Sequence, residues 1–194
     1  MMIDLNPSKK EIRNAERCLE KMKSSSDYDE YEANWRNCLN HIEKCFEKIR
    51  IATKPIEGKF SSKLSLELMA IKTDSLLCYL KQARNADNHS IQDISKLIPG
   101  GMEMKSMLSG GSHYIKQLTI NNGVLTHYEG DPVKITFTPT TIEVTEIINR
   151  GSKYSPPNSH LGKAFSSKNP IDLASKGIEF YSEVINKTEK ELLN

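Results

Sequence analysis

The chain has 194 residues, of which 37% are hydrophobic and 27% are charged. This composition is typical of a globular protein with one domain, or one domain and a small appendage, and no apolar run approaches the ~20 residues of a membrane span. The formal net charge of +2 does not indicate a polyanionic partner, and the N-terminus has no features of a secretory signal. We therefore expect a cytoplasmic protein that does not bind membranes.

Hydrophobic periodicity predicts helices at both ends of the chain. Asn6-Pro7 predicts the start of a first helix through a capping side chain and a proline in the first turn, and Asn169-Pro170 repeats this signal for the last helix. Between them we predict a second helix over residues 27–51, a third over 61–86, and a short fourth from Ser90 to Ile98, where Ser90 and Asp93 resemble a capping box.

Residues 102–111 are rich in Met and Gly, and Gly110-Gly111 is predicted to be a hinge. The pattern then changes from helical to alternating. Asn121-Asn122-Gly123 predicts a hairpin turn. The predicted strands are residues 113–120 and 124–127, paired with each other, and residues 133–137 and 141–147, which form a second pair. We expect a long loop over 150–168.

Together these elements predict an α+β fold in which a bundle of four to five helices carries a small antiparallel β-sheet, inserted before the C-terminal helix. The predicted parts are a helical bundle at residues 1–98, the β-sheet insert at 112–148, a loop at 149–168, and a C-terminal helix at 169–194. We expect this last helix to pack on the bundle or on a partner subunit.

The four cysteines show no spacing typical of zinc or redox sites, so we interpret them as buried thiols and expect neither a metal nor a cofactor. They are Cys18, Cys38, Cys45 and Cys78. Three of the histidines, His113, His127 and His160, are too scattered in the sequence to indicate a metal site.

The candidate site is the polar end of the third predicted helix, Arg84-Asn85-Ala86-Asp87-Asn88-His89. Histidine titrates near neutral pH and can act as an acid or a base, and the planar arginine side chain can bind two phosphate oxygens. Metal-independent RNA cleavage needs these two kinds of group. A structural role would explain the same residues without catalysis. In that case the polar side chains bind the free carbonyl groups at the helix end, and Arg84 or His89 forms an ion pair with Asp87.

Four residues separate Arg84 from His89, and the first of them is the polar Asn85. This spacing resembles the signature of the HEPN (higher eukaryotes and prokaryotes nucleotide-binding) superfamily of helical domains, in which four to six residues, the first of them polar, separate an arginine from a histidine. This resemblance implies a HEPN-like bundle and a metal-independent endoribonuclease, with a toxin or phage-defence role. It assigns Arg84 to phosphate binding, Asn85 to substrate orientation and His89 to acid–base catalysis, with Asp87 and Asn88 next to the substrate. It also implies a homodimer that binds RNA or a nucleotide, with an antitoxin or a defence-system protein as a further partner.

Three alternatives stay open at this point. Arg36-Asn37-Cys38-Leu39-Asn40-His41 satisfies the same signature in the second helix, so at least one of the two matches is expected to be accidental. The protein could also bind a nucleotide or RNA without cutting it, or it could be a protein-interaction module that uses its β insert and last helix.

Overall fold

Six α-helices and ten short β-strands form the described chain of the computed structural model, which covers residues 3–110 and 112–192. The helices are α1 (Asn6–Ser24), α2 (Tyr28–Thr53), α3 (Glu57–Lys63), α4 (Ser65–Thr73), α5 (Ser75–His89) and α6 (Pro170–Leu192). The strands are β1 (Ser95–Ile98), β2 (Gly101–Ser106), β3 (Ile115–Asn121), β4 (Val124–Gly130), β5 (Val133–Thr138), β6 (Thr141–Val144), β7 (Ile147–Asn149), β8 (Ser152–Tyr154), β9 (Ser159–His160) and β10 (Lys163–Ala164). The predicted α+β class is confirmed.

The chain forms two compact units. The helical unit comprises the described residues up to Leu97 and from Ile142 onward, and it contains all six helices. The β unit comprises Ile98–Thr141 and contains β2 to β5.

The helical unit is held together by a core to which α1, α2, α5 and α6 all contribute. Its largest fully buried side chains include Trp35, Leu39, Ile49, Leu76, Tyr79, Leu173 and Val184. Gly177 on α6 allows a close approach to α5, because a Cβ atom there would lie 2.6 Å from Leu80 Cδ1. These contacts fix α5 against α2, the two helices that carry the candidate site.

The cap predicted at Asn169 is confirmed and the cap predicted at Asn6 is wrong, while α2 is capped by Asp27. Asp27 Oδ1 accepts a hydrogen bond from Glu30 N at 2.8 Å, and Asn169 Oδ1 accepts one from Ile171 N at 2.9 Å. Asn6 does not cap α1; its own N–H instead donates to Asp4 Oδ1 at 2.9 Å. The helix nevertheless begins where the proline predicts.

The prediction of one continuous helix over 61–86 is wrong, since α3, α4 and α5 occupy this part of the chain. The break before α5 occurs at Asp74, which has an extended backbone and accepts a hydrogen bond from Leu77 N at 3.0 Å. A side chain that caps a new helix competes with continuation of the old one. Hydrophobic periodicity does not reveal this break, because Ile71 before it and Leu76 after it are both buried.

The short helix predicted from Ser90 to Ile98 is also wrong. Ser90 Oγ donates back to Ala86 O at 2.8 Å and so closes α5 instead of opening a new helix. The side chain of Gln92 then exchanges two hydrogen bonds with the backbone of Ile148, at 2.6 and 2.9 Å. These bonds hold the segment extended, and it continues into β1.

The strands form two-stranded pairs, of which β2–β5, β3–β4, β7–β8 and β9–β10 are antiparallel. The predicted hairpin is confirmed as β3 and β4, joined by Asn122 and Gly123, which have φ values of 49° and 76°. These values match the turn type that Asn-Gly favours. β5 and β6 do not pair with each other as predicted, because β5 pairs with β2 and β6 pairs with β1. The Met- and Gly-rich segment 102–111 contains most of β2, and the hinge predicted at Gly110-Gly111 lies partly outside the described residues.

The segment predicted as a loop over 150–168 contains further short strands. β7 pairs with β8, and β9 pairs with β10. Each pair turns through two residues of positive φ, Arg150-Gly151 and Leu161-Gly162. Gly is favoured at such positions because it has no Cβ atom.

Candidate functional site

The predicted site lies on the last turns of α5, which remains helical up to His89. Arg84, Asn85 and Asp87 are half-buried, whereas Asn88 and His89 are exposed. In a continuous helix Arg84 and Asn88 share a face, and His89 lies about 140° around the axis from Arg84. The structure therefore groups Arg84 with Asn85 and Asn88, and places His89 on a different side of the same helix.

Asn40 on α2 joins the residues of this cluster. Its Oδ1 accepts hydrogen bonds from Arg84 Nε at 3.2 Å and from Asn88 Nδ2 at 3.3 Å. Arg84 Nη1 also donates to Asn85 Oδ1 at 3.3 Å. We call Asn40, Arg84, Asn85 and Asn88 the Arg84 cluster. It is an arginine held by neutral amides on the surface between two helices.

The charge of Arg84 is not neutralised by an ion pair. Within residues 3–110 and 112–192, no carboxylate oxygen lies within 4.0 Å of its guanidinium nitrogens. Its hydrogen-bond acceptors are amide oxygens, which carry no formal charge. The guanidinium can therefore attract an anion at short range.

Glu43, on α2 near the Arg84 cluster, was not predicted from the sequence. It is half-buried. Burial raises the pKa of its carboxyl above the ordinary value of 4.5, and the nearby positive charges of Lys81 and Arg84 oppose that rise without cancelling it. A raised pKa and a position near Arg84 make Glu43 a candidate for proton transfer.

Asp87 is turned away from the Arg84 cluster. It forms an ion pair with Arg36 on α2, and Arg36 also binds Glu32 at 3.0 Å. The alternative in which Asp87 pairs with Arg84 or His89 is therefore wrong. Because Arg36 balances its charge, Asp87 repels a phosphate at Arg84 less than a free carboxylate would.

The second match to the signature, Arg36 to His41, is engaged in helix packing. Besides the two carboxylates on Arg36, His41 Nδ1 lies 2.6 Å from Glu11 Oε2, and Lys48 forms an ion pair with the same glutamate. Glu11 is buried between α1 and α2, with a relative exposure of 7%. Both residues of this match thus hold neighbouring helices together.

His113 and His160 have different hydrogen-bond partners. His113 Nε2 lies 2.9 Å from Tyr128 Oη, and His160 Nδ1 lies 3.0 Å from Asp74 Oδ1. His127 is exposed on β4. Within the described ranges, no three His, Cys, Asp or Glu side chains are grouped closely enough to hold a metal ion.

The cavities found in the helical unit do not lie at the Arg84 cluster. One of about 330 Å³ is lined by residues of α6 and of the segment around β9 and β10, including His160, Phe165 and Phe180. Asn40, Arg84 and Asn85 are half-buried and Asn88 is exposed, so the cluster reaches the protein surface. Such a site suits a polymer backbone better than a small ligand, which is usually enclosed in a pocket.

The sequence prediction included Arg84, Asn85 and Asn88, and it did not include Asn40 or Glu43. Asn40 lies within the second signature match on α2, and Glu43 lies two residues after it. The second match was therefore the one feature of the sequence that pointed to this part of α2. Among the helices of the described ranges, none is both long enough and apolar enough to cross a membrane. Comparisons of the chain with family models, curated proteins and solved structures find no significant match.

Proposed function

We propose that the protein is a homodimeric, metal-independent endoribonuclease of the HEPN type, and that its helical unit is a bundle of that kind. The observation that carries this proposal is the state of Arg84, a half-buried arginine whose hydrogen-bond partners are neutral amides. Arginine binds two phosphate oxygens through its planar fork, and surrounding amides donate further hydrogen bonds. An RNA phosphate is the ligand that this cluster fits best.

In the proposed reaction the 2′-hydroxyl of RNA attacks the neighbouring phosphorus. The 2′-oxygen–phosphorus bond forms, the bond from phosphorus to the 5′-oxygen breaks, and the products are a 2′,3′-cyclic phosphate and a 5′-hydroxyl end. His89 accepts the 2′-hydroxyl proton, Glu43 in its protonated form supplies a proton to the leaving 5′-oxygen, and Arg84 stabilises the charge on phosphorus oxygens in the transition state.

The position of His89 is the reason for proposing two copies. His89 lies about 140° around α5 from Arg84. Within one subunit, the imidazole and the guanidinium therefore lie on different sides of the helix. A second α5 related by a two-fold axis would bring His89 of the partner subunit toward Arg84. Each site would then combine Arg84 and Glu43 from one chain with an imidazole from the other.

The same geometry favours a second candidate function, which is binding of RNA or a nucleotide without cleavage. All four residues of the Arg84 cluster come from one chain, so one chain is sufficient for phosphate binding. Acid–base catalysis needs a histidine next to Arg84, and His89 of the same chain lies on another side of α5. If no second subunit supplies the imidazole, phosphate binding remains and catalysis does not.

The test is cleavage of RNA by the purified protein in the presence of EDTA, with analysis of the ends. Cyclic phosphate and 5′-hydroxyl ends are expected, and His89→Ala should reduce their formation by about 100-fold or more. His127→Ala, which removes another exposed histidine, is the matched control and should retain full activity. Equal cleavage by the His89→Ala protein would overturn the assignment.

Binding separates the two functions. Arg84→Ala should weaken RNA binding by roughly 10-fold, which corresponds to the loss of one charge-assisted contact. If the wild-type protein binds RNA through Arg84 but yields no cleavage products, the binding function is selected. Growth arrest on expression of the wild type, relieved by His89→Ala, would support the proposed toxin or phage-defence role, with an antitoxin or defence protein as partner.

A further inference from the structure

A cavity lies between α6 and the β9–β10 pair in the helical unit, and it shares no residue with the Arg84 cluster. Its volume is about 330 Å³, and its apolar lining includes Phe165 and Phe180. Ligand pockets commonly measure roughly 300–1,000 Å³ and combine apolar walls with a few polar groups. A volume at the low end of this range indicates a small ligand.

A second cavity continues the first along α6. It measures about 260 Å³, shares Leu161, Phe180 and Glu183 with the first cavity, and adds Ala70 and Val184 to the apolar lining. Glu183 therefore lies where the two cavities meet, among apolar side chains. A ligand whose charged end binds Glu183 has apolar surface on both sides of that end.

His160 is a polar group fixed in the wall of the first cavity. Its Nδ1 lies 3.0 Å from Asp74 Oδ1, and the two side chains are only 12% and 7% exposed. Burial alone would raise the pKa of Asp74. Hydrogen bonds from His160, Leu161 N and Leu77 N outweigh burial and hold this pKa below its ordinary value of 3.8. Because the carboxylate can only accept, Nδ1 donates to it, and Nε2 of the neutral imidazole is an acceptor for a ligand.

The charged groups of the first cavity leave one positive and one negative charge without an ion pair. Lys163, Lys176, Glu179 and Glu183 all line it. Lys176 and Glu179 bind each other at 2.6 Å. In the described part of the chain, no opposite charge lies within 4.0 Å of the charged atoms of Lys163 or Glu183. These two charges line one cavity but are too far apart to bind each other, so a ligand that carries both charges can bridge them.

We propose that the cavity binds a small zwitterion with an apolar side chain, that is, a free α-amino acid. Lys163 binds the carboxylate of the ligand, and Glu183 binds its ammonium group. Nε2 of His160 accepts a further hydrogen bond from the ammonium group. The apolar side chain of the ligand packs against Phe165 and Phe180.

A zwitterion fits these charges better than an anion, a cation or an uncharged ligand. A simple carboxylate takes water away from Glu183 without giving it a partner, and a simple amine does the same to Lys163. An uncharged ligand leaves both charges without a partner. The inference goes beyond the proposed function, and it does not depend on RNA binding or cleavage.

The experiment is isothermal titration calorimetry of the purified full chain with L-phenylalanine, L-leucine, phenethylamine and 3-phenylpropanoate. Phenethylamine and 3-phenylpropanoate keep the ring of phenylalanine, but each lacks one of its two charges. We expect phenylalanine to bind at least about 10-fold more tightly than either analogue, since each analogue loses one charge-assisted contact. Equal or tighter binding of an analogue would overturn the zwitterion assignment. Failure of both amino acids to bind at millimolar concentrations would overturn the site itself.

Two variants locate the bound ligand. Lys163→Ala and Glu183→Gln should each weaken phenylalanine binding by about 10-fold or more. The controls Lys72→Ala and Glu16→Gln remove exposed charges on α4 and α1 and should bind phenylalanine like the wild type. Thermal unfolding checks that all four proteins remain folded. Wild-type affinity in both cavity variants, or an equal loss of affinity in the controls, would show that phenylalanine binds elsewhere and would overturn the inference.

Discussion

Arg36 on α2 and Asp87 on α5 form an ion pair that connects the two helices of the candidate site. Glu32, one turn before Arg36, binds the same guanidinium at 3.0 Å. Arg36 is therefore saturated by two carboxylates, whereas Arg84, on the same pair of helices, has only amide acceptors. The two arginines lie on the same pair of helices, but carboxylates neutralise only the charge of Arg36.

This difference predicts opposite effects of two matched substitutions. Arg36→Ala leaves Asp87 and Glu32 without their partner, and the side chain of Asp87 is only 11% exposed, so we expect a loss of about 1–2 kcal/mol in the free energy of unfolding. RNA binding by the folded protein should change little. Arg84→Ala should cost less than about 1 kcal/mol because it breaks only neutral hydrogen bonds, but it should weaken RNA binding.

Urea unfolding and RNA titration of the two variants measure both quantities. The result that contradicts this account is a large loss of binding in Arg36→Ala with its stability unchanged. That outcome would place the phosphate site at the second signature match instead of at the Arg84 cluster.

Glu11 predicts an acid-sensitive contact between α1 and α2. Burial alone would raise the pKa of its carboxyl, but hydrogen bonds from Lys48 and His41 outweigh burial and hold the pKa below the ordinary value of 4.5. A lowered folded-state pKa contributes stability above pH 4.5, and this stability is lost as the pH falls through the folded-state pKa.

Glu11→Gln should therefore destabilise the protein by about 1 kcal/mol at pH 7. The difference from the wild type should shrink as the pH is lowered below 4.5. Unfolding curves over this pH range test the prediction, with Glu16→Gln as the control on the exposed side of the same helix. A constant difference at all pH values would show that packing, and not charge, is responsible.

Loss of the Asp74 side chain should lower the free energy of unfolding by more than the loss of an ordinary helix cap does. Asp74 caps α5 through Leu77 N, and it also accepts hydrogen bonds from His160 Nδ1 at 3.0 Å and Leu161 N at 2.7 Å. Asp74→Ala should cost about 2–3 kcal/mol, since a cap alone contributes about 1 kcal/mol and the other two bonds add to it. Asp27→Ala, which removes only the cap of α2, is the matched control and should cost about 1 kcal/mol. Equal losses in the two proteins would mean that the bonds to residues 160 and 161 contribute nothing.

The elements that the sequence predicts correctly are those whose signals are local. The proline at position 7, the cap at Asn169 and the Asn122-Gly123 turn act on their immediate neighbours, and the elements that they start are present. The helix predicted from Ser90 is absent because Ser90 bonds to the end of α5 and Gln92 bonds to the distant Ile148. Pairing of β5 and β6 was misassigned for a similar reason, since their partners precede the hairpin that the two strands follow.

The candidate site shows the same division between local and distant information. Arg84 and Asn88 are four residues apart on one helix, so their common face follows from helical periodicity. Asn40 and Glu43 join them only because α2 packs beside α5, and no spacing in the sequence reveals which face of α2 is turned toward Arg84. The correct partner of Asp87 was missed because it also lies on α2.

Glu43 gives the prediction that best separates function from structure. Because burial raises the pKa of this carboxyl above 4.5, the ionised form is penalised in the folded protein, and its contribution to stability falls as the pH rises through the folded-state pKa. Glu43→Gln removes that penalty. We therefore expect the variant to be more stable than the wild type at neutral pH and similar to it below pH 4.5.

The same substitution should reduce RNA cleavage by about 100-fold, because the amide cannot supply a proton to the leaving oxygen. A gain in stability with a loss of activity is the behaviour of a residue kept for function at the expense of folding. Glu47→Gln, one turn further along α2 on an exposed position, should change stability by no more than about 0.5 kcal/mol and should retain activity. Unfolding and cleavage assays on both proteins test these expectations. Full activity in Glu43→Gln would show that this residue takes no part in the reaction. A loss of stability at neutral pH would show that burial does not penalise the ionised carboxylate.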